Sequence, residues 1–154
     1  MATRTGSGAV FRAAAPADLP AVLALLQGAG LPGAGVAEWL DGFVVAEREG
    51  AGVAAAGLEV HGGDGLLRSV VVDLAWRGRG LGAALTEAVL AAAGAAGLGA
   101  VYLLTDTGEG YFPRHGFRRI PREQASEAVR QSQEFRELCP VSSIVMVAEL
   151  AAPV

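Results

Sequence analysis

The chain holds a single cysteine, Cys139, so no disulfide within it is possible. Nor is there a charged leader ahead of an apolar h-region, which removes the case for secretion and leaves the cytoplasm as the expected compartment. Long apolar runs are missing too: Ala-rich stretches such as Leu90 to Ala96 are short and broken by Gly, well below the ~18 residues a membrane span needs. Charge is scarce at 18 %, with a net of −4 and a pI near 5.1. With no long basic stripe, a nucleic-acid footprint is not expected, and local basic clusters must do any anion binding. No His/Cys/Asp/Glu cluster has metal-ligand spacing, so no metal is expected. There is no internal repeat, no dividing linker and no low-complexity segment beyond an Ala/Gly bias.

What is present is a globular composition, 52 % apolar with 22 Gly in 154 residues. A chain of this length supports one sizeable core, so one domain is expected over 9–150, preceded by a flexible N-terminus at 1–8. Leu19, Val22, Leu23 and Leu26 lie at i, i+3, i+4 and i+7, predicting an amphipathic helix within Pro16 to Gly30. A shorter helical stretch follows at Val36 to Leu40. Phe43 to Glu47 and Val53 to His61 read as a hairpin, and Gly62 to Gly65 turns into a buried strand at Leu66 to Val72. A helix from Gly80 to Ala96 carries Leu81, Leu85, Val89 and Ala92 on one face, followed by a strand at Val101 to Thr105. A short helix or turn at Gly108 to His115, a polar helix at Pro121 to Glu137 and a last strand at Ser143 to Glu149 complete an α+β reading. For the polar helix the plainest role is a solvated cover on a sheet edge, the functional one a lid or dimer contact.

The most informative stretch runs from Val70 through Arg77-Gly78-Arg79-Gly80-Leu81-Gly82 into the helix. Glycines let backbone amides close on phosphate oxygens, and the helix N-terminus adds partial positive charge. Arg77 and Arg79 bring full charges to the rim. A P-loop would require Lys-Ser or Lys-Thr after the last Gly, where Ala83-Ala84 stand. A dinucleotide-binding turn matches Gly78-x-Gly80-x-x-Ala83 loosely, but its first Gly should follow the strand directly and Asp73 to Arg77 intervene. The plainest alternative is a turn with a helix cap.

Arg77-x-x-Gly80-x-Gly82 after Val70-x-Val72 resembles the pyrophosphate-binding signature of the GCN5-related N-acetyltransferase (GNAT) superfamily. Tyr111-Phe112-Pro113-Arg114-His115-Gly116-Phe117 resembles its second motif. The resemblance implies a mixed, mostly antiparallel central sheet with flanking helices and a splayed central strand pair, and acetyl-CoA as cosubstrate. It places the pantetheine arm on the backbone of Val70, Val71 and Val72, with an amide in the Val70 to Val71 region polarising the thioester carbonyl. The pyrophosphate would fall to Arg77, Gly78, Arg79, Gly80, Leu81, Gly82 and Ala83. Within the superfamily the chain is similar to the arsenic-resistance N-acetyltransferase branch. That likeness rests on Gly57-Leu58-Glu59-Val60, Leu66-Leu67-Arg68-Ser69-Val70, Tyr102-Leu103-Leu104-Thr105, Ser132-Gln133-Glu134-Phe135 and Leu138-Cys139-Pro140.

Transfer to an amine needs a base and an oxyanion donor. Glu59 is the candidate base; a hairpin turn centred on Gly63-Asp64 would also place it opposite Arg68 as a cross-strand ion pair, and Arg68 could receive a substrate carboxylate. Ser69 and Thr105 are further candidate substrate contacts. His61, His115 and the thiol of Cys139 read as packing or surface groups, and Trp39 and Trp76 as packing. Four residues before Gly116, where many superfamily members carry the tyrosine that protonates the thiolate, stands Phe112. The expected function is N-acetylation of a small-molecule amine, such as an amino acid or an arsenic-containing analogue, with a second copy of the chain as a candidate partner in a homodimer; the alternative is a non-catalytic acyl-CoA sensor or interaction module.

Overall fold

The computed structural model describes residues 3–4, 8–106, 108–139 and 142–150. Of the N-terminal stretch expected to be flexible, all but Thr3, Arg4 and Gly8 lies outside the described residues. The chain forms two compact units, Met1–Leu58 with Ser69–Val89, and Glu59–Arg68 with Leu90–Val154.

The first unit is built on antiparallel strands: β1 (Thr3–Arg4), β2 (Val10–Ala13), β3 (Phe43–Arg48) and the greater part of β4 (Ala51–His61). β5 (Asp64–Val72) supplies its last four residues, from Ser69 onward. Helix α1 (Leu19–Gly28) buries Val22 and Leu26, as its apolar spacing predicts. Its entry is held by Asp18, which takes two 2.7 Å bonds from Arg12 and one of 2.6 Å from the Ala15 N–H. Those bonds, the guanidinium's above all, pull the Asp18 carboxyl down to about 2. The short α2 (Val36–Trp39) packs beside it, and Val22, Leu26, Val36, Leu40, Phe43, Val45, Ala55 and Val71 form one core. Gly57 sits against the Phe43 ring, leaving no room for a Cβ. Helix α3 (Leu81–Ala95) turns Leu81, Leu85 and Val89 inward and stops at Gly97, whose φ of 78° suits glycine.

The second unit adds β6 (Ala100–Thr105), β7 (Arg118–Ile120), α4 (Glu127–Arg130) and β8 (Ile144–Glu149). β8 pairs antiparallel with β6 along its length and with β7 on its other side. β5 pairs with β6 in parallel, through Gly65↔Val101 and Leu66↔Tyr102, although both strands run on beyond those partners. This is a short parallel contact in an otherwise antiparallel ladder. The fold is thus the expected α+β class, a mixed and mostly antiparallel sheet flanked by helices.

Two local expectations are corrected. The turn between β4 and β5 is Gly62-Gly63, and Asp64 already belongs to β5. The single polar helix over Pro121 to Glu137 is absent: a 3₁₀ turn (Arg122–Gln124), the four-residue α4 and a π-helical segment (Glu134–Leu138) take its place. Side chains compete there for the backbone. The Ser126 hydroxyl accepts from the Val129 N–H, the Ser132 hydroxyl from the Phe135 N–H, and Arg122 donates to the Phe135 carbonyl at 2.6 Å. Val129, Glu134 and Phe135 are buried, so this segment is no solvated cover.

Candidate active site

In the first unit, the end of β5 is shaped by Ser69, which holds a φ of 60°, a left-handed conformation unusual for a residue with a Cβ. It kinks the strand just before Val70, Val71 and Val72, of which Val71 is the buried one. The strand end is pinned by a 2.8 Å bond from the Asp73 N–H to the Val53 carbonyl. The Asp73 carboxylate then accepts from the Ala75 N–H at 2.9 Å and closes the 3₁₀ turn Leu74–Trp76. Arg77 folds back, its Nε donating to the Val72 carbonyl at 3.1 Å.

Gly78 and Gly80 follow with φ of 80° and 79°, and a Cβ at either would meet no atom within 4 Å. Left-handed backbone lined by open space is the hollow that glycine alone leaves clear. The first α3 bond runs from the Ala84 N–H to the Gly80 carbonyl at 3.0 Å. The amides of Leu81, Gly82 and Ala83 therefore have no acceptor inside the helix and carry its positive dipole end. Arg77 and Arg79 are exposed, and among the described residues neither meets a carboxylate. Neutral amides in a glycine hollow, rimmed by two uncompensated guanidiniums, suit a pyrophosphate.

The second unit holds a buried polar cluster. Glu59 accepts from Arg68 Nη1 at 2.9 Å and meets His61 Nε2 at 2.7 Å, so the expected ion pair forms with an imidazole added to it. The Arg68 side chain is 1 % exposed, and its Nε also lies 3.4 Å from Glu134. Two carboxylates thus share one guanidinium. Burial pushes the Glu134 carboxyl above its ordinary range, against the pull of Arg68. The Cys139 thiol donates to Glu134 at 3.3 Å, and burial together with that carboxylate pushes the thiol up to about 12. Thr105 turns its hydroxyl to a local task, accepting from the Gly108 N–H at 2.8 Å. Tyr111 stands edge-on to Phe112 and beside His115, and Phe112 packs edge-on to Phe117. Sequence reasoning missed Glu134 as a partner of Arg68 and His61 as a partner of Glu59. The first gave no local signal; the second had one, two residues apart on a strand and hence on one face.

A model of the acetyltransferase (GNAT) domain matches residues 39–119, spanning the glycine hollow and the aromatic turn. The chain belongs to the GNAT acetyltransferases. Among solved structures, this GNAT chain is 27 % identical to Rv2747 from Mycobacterium tuberculosis, crystallised in complex with CoA and NLQ, with a TM-score of 0.79 over 92 % of this chain and 99 % of that one. The N-acetylglutamate synthase of Neisseria gonorrhoeae, complexed with coenzyme A and N-acetyl-glutamate, matches at 19 % identity and a TM-score of 0.79, over 92 % of this chain and 35 % of that one. The ribosomal-protein-S18-alanine N-acetyltransferase of Escherichia coli matches at 18 % and 0.73, over 100 % of this chain and 97 % of that one. The last two establish the shared fold. This GNAT enzyme is an N-acetyltransferase with acetyl-CoA as its cosubstrate. Among its described residues no group of three or more His, Cys, Asp or Glu is placed to hold a metal ion, and no helix is long and apolar enough to cross a membrane.

Proposed function

We propose that this enzyme acetylates the amine of a small molecule of the amino-acid class, with Glu59 and His61 together acting as the base. The observation that carries the reading is the buried Arg68, contacted at 2.9 Å by Glu59 and at 3.4 Å by Glu134. A guanidinium already holding carboxylates is suited to an α-carboxylate, and the longer contact is the one such a group replaces. Burial already disfavours the Glu134 carboxylate, so it is the partner of Arg68 more readily displaced. An amino-acid-like arsenical, the narrower acceptor implied by the arsenic-resistance likeness, would bind through the same carboxylate.

The chemistry follows from the groups present. The neutral amine attacks the acetyl carbon while its proton passes toward the Glu59–His61 pair, of which His61 is the more exposed member at 17 % against 2 %. With the shared proton on Nε2, Nδ1 is the basic nitrogen of the ring. A backbone N–H at Val70 or Val71 stabilises the oxyanion. The C–S bond then breaks, and the thiolate takes its proton from water, since Phe112 has none to give.

A thiol-release screen over amino acids, aminoglycosides, polyamines and amino-acid-like arsenicals tests the acceptor. Turnover with amino acids is expected, and turnover confined to polyamines would refute that class. Glu59→Gln should lower turnover by roughly 10²- to 10⁴-fold with coenzyme A affinity unchanged. A Glu59→Gln protein of normal turnover and lower melting temperature would reduce Glu59 to a structural partner of Arg68.

A further inference from the structure

The stretch after β7, expected from the sequence to be a solvated helix, lines a cleft of about 270 Å³ with Arg122, Glu123, Arg130 and Phe135. Each of its two guanidiniums is anchored on a neutral backbone carbonyl. Arg122 Nη2 donates to the Phe135 carbonyl at 2.6 Å, with the guanidinium carbon 5.0 Å from the Phe135 ring centroid, and Arg130 Nε donates to the Ala125 carbonyl at 3.0 Å. Elsewhere arginines meet carboxylates, Arg12 with Asp18 and Arg118 with Glu149 at 2.7 Å each. Among the described residues no carboxylate, that of Glu123 included, bonds or pairs with Arg122 or Arg130. Arg122 Nη1 is moreover buried without any hydrogen-bond partner. A buried cationic N–H that lacks an acceptor is costly, so the native state gains from whatever supplies one.

The cleft is not the cluster proposed to receive the acceptor. Arg122 bonds the carbonyl of Phe135, whereas the side chain of the preceding residue, Glu134, turns to Arg68. What the cleft takes follows from its walls. A guanidinium fork matches the two oxygens of a carboxylate. The exposed Glu123 sets a negative charge against a dianion such as phosphate, and the Phe135 ring offers an apolar surface to the body of a ligand. The volume lies just below the ~300–1,000 Å³ of pockets for drug-sized ligands, which limits the occupant to a small molecule. We propose that Arg122 and Arg130 form a binding site, distinct from Arg68, for a small organic monocarboxylate whose apolar part lies against Phe135.

Calorimetric titration of the full chain with benzoate, benzamide and inorganic phosphate tests the site. Benzoate should be preferred over benzamide, its uncharged isostere, by roughly tenfold to a hundredfold, the worth of one charge-assisted hydrogen bond. Phosphate should bind more weakly than benzoate, and Glu123→Gln should narrow that gap by removing the opposing charge. Arg130→Gln should cost most of the preference for benzoate over benzamide. Arg122→Lys, which keeps the charge and loses the fork, should weaken benzoate more than benzamide; if loss of the carbonyl bond prevents its folding, Arg130→Gln, made at an exposed side chain, decides alone. Equal affinity of the unmodified enzyme for benzoate and benzamide would overturn the proposal. So would a preference left unchanged in folded Arg130→Gln, which would put the carboxylate on Arg68 instead. Phosphate binding more tightly than benzoate would overturn the choice of a monocarboxylate.

Discussion

At the scale of single residues, the second motif keeps its aromatic pair but moves the hydroxyl. Phe112 opens a 3₁₀ turn (Phe112–His115) with Tyr111 as the residue before it, and in that geometry neighbours point about 120° apart. Tyr111 is accordingly turned onto Phe112 and His115. Tyr111→Phe should change turnover less than about tenfold, whereas loss of a general acid costs roughly 10²- to 10⁴-fold. Steady-state kinetics showing the larger loss, with coenzyme A affinity unchanged, would make Tyr111 the acid. Cys139 offers a second measurement. With its thiol pushed up to about 12 by burial and by Glu134, thiolate is scarce at pH 8. Iodoacetamide should therefore label the folded enzyme roughly a thousandfold more slowly than an unperturbed thiol. Glu134→Gln should speed labelling by removing the negative charge beside the thiol; rapid alkylation of the folded, unmodified protein would contradict a thiol held down by burial and that charge.

At the scale of elements, β5 does most to shape the proposed acetyl-CoA site. Its kink depends on a serine at φ 60°, a conformation that β-branched side chains resist strongly. Ser69→Val should destabilise the protein by roughly 1–3 kcal/mol in urea unfolding and raise KM for acetyl-CoA, because Val70 to Val72 shift with the kink. Ser69→Gly should stay within about 0.5 kcal/mol of the unmodified protein, since relief of strain is offset by the entropy glycine loses on folding. A tolerated Ser69→Val would mean that the kink belongs to the surroundings and not to this residue. The stretch after β7 obeys different physics. Its serine and arginine side chains satisfy backbone groups that a continuous helix would pair internally, and the resulting breaks turn Glu134 inward to Arg68.

At the scale of the molecule, a chain of net charge −4 still sets the exposed guanidiniums of Arg77 and Arg79 at the rim of the glycine hollow. Binding a polyanion there should stabilise the native state by mass action. At a coenzyme A concentration a hundred times Kd the gain is about 2.7 kcal/mol, which for a protein of this size raises Tm by roughly 5–10 °C. Gly82→Val should fold and lose that rise in a thermal-shift assay, because two methyl groups would crowd the helix-end amides. An unchanged shift in the variant would place the ligand elsewhere.

The sequence by itself determined whatever depends on neighbours along the chain. The spacing of Val22 and Leu26 buries one face of α1, Gly78 and Gly80 supply left-handed backbone, and α3 starts where the hollow needs its amides. These are local conformational preferences, expressed wherever the residues stand. Glu59 and Arg68 were within reach because one hairpin joins them, and their bond survives a turn placed one residue earlier than expected. Only the tertiary structure decided that β8 pairs between β6 and β7, that Glu134 closes on Arg68, and that Arg48 joins Arg79 on Trp76. Such contacts join residues far apart in the chain, and no periodicity marks them. They follow from which surfaces are buried together, and burial is a property of the folded whole.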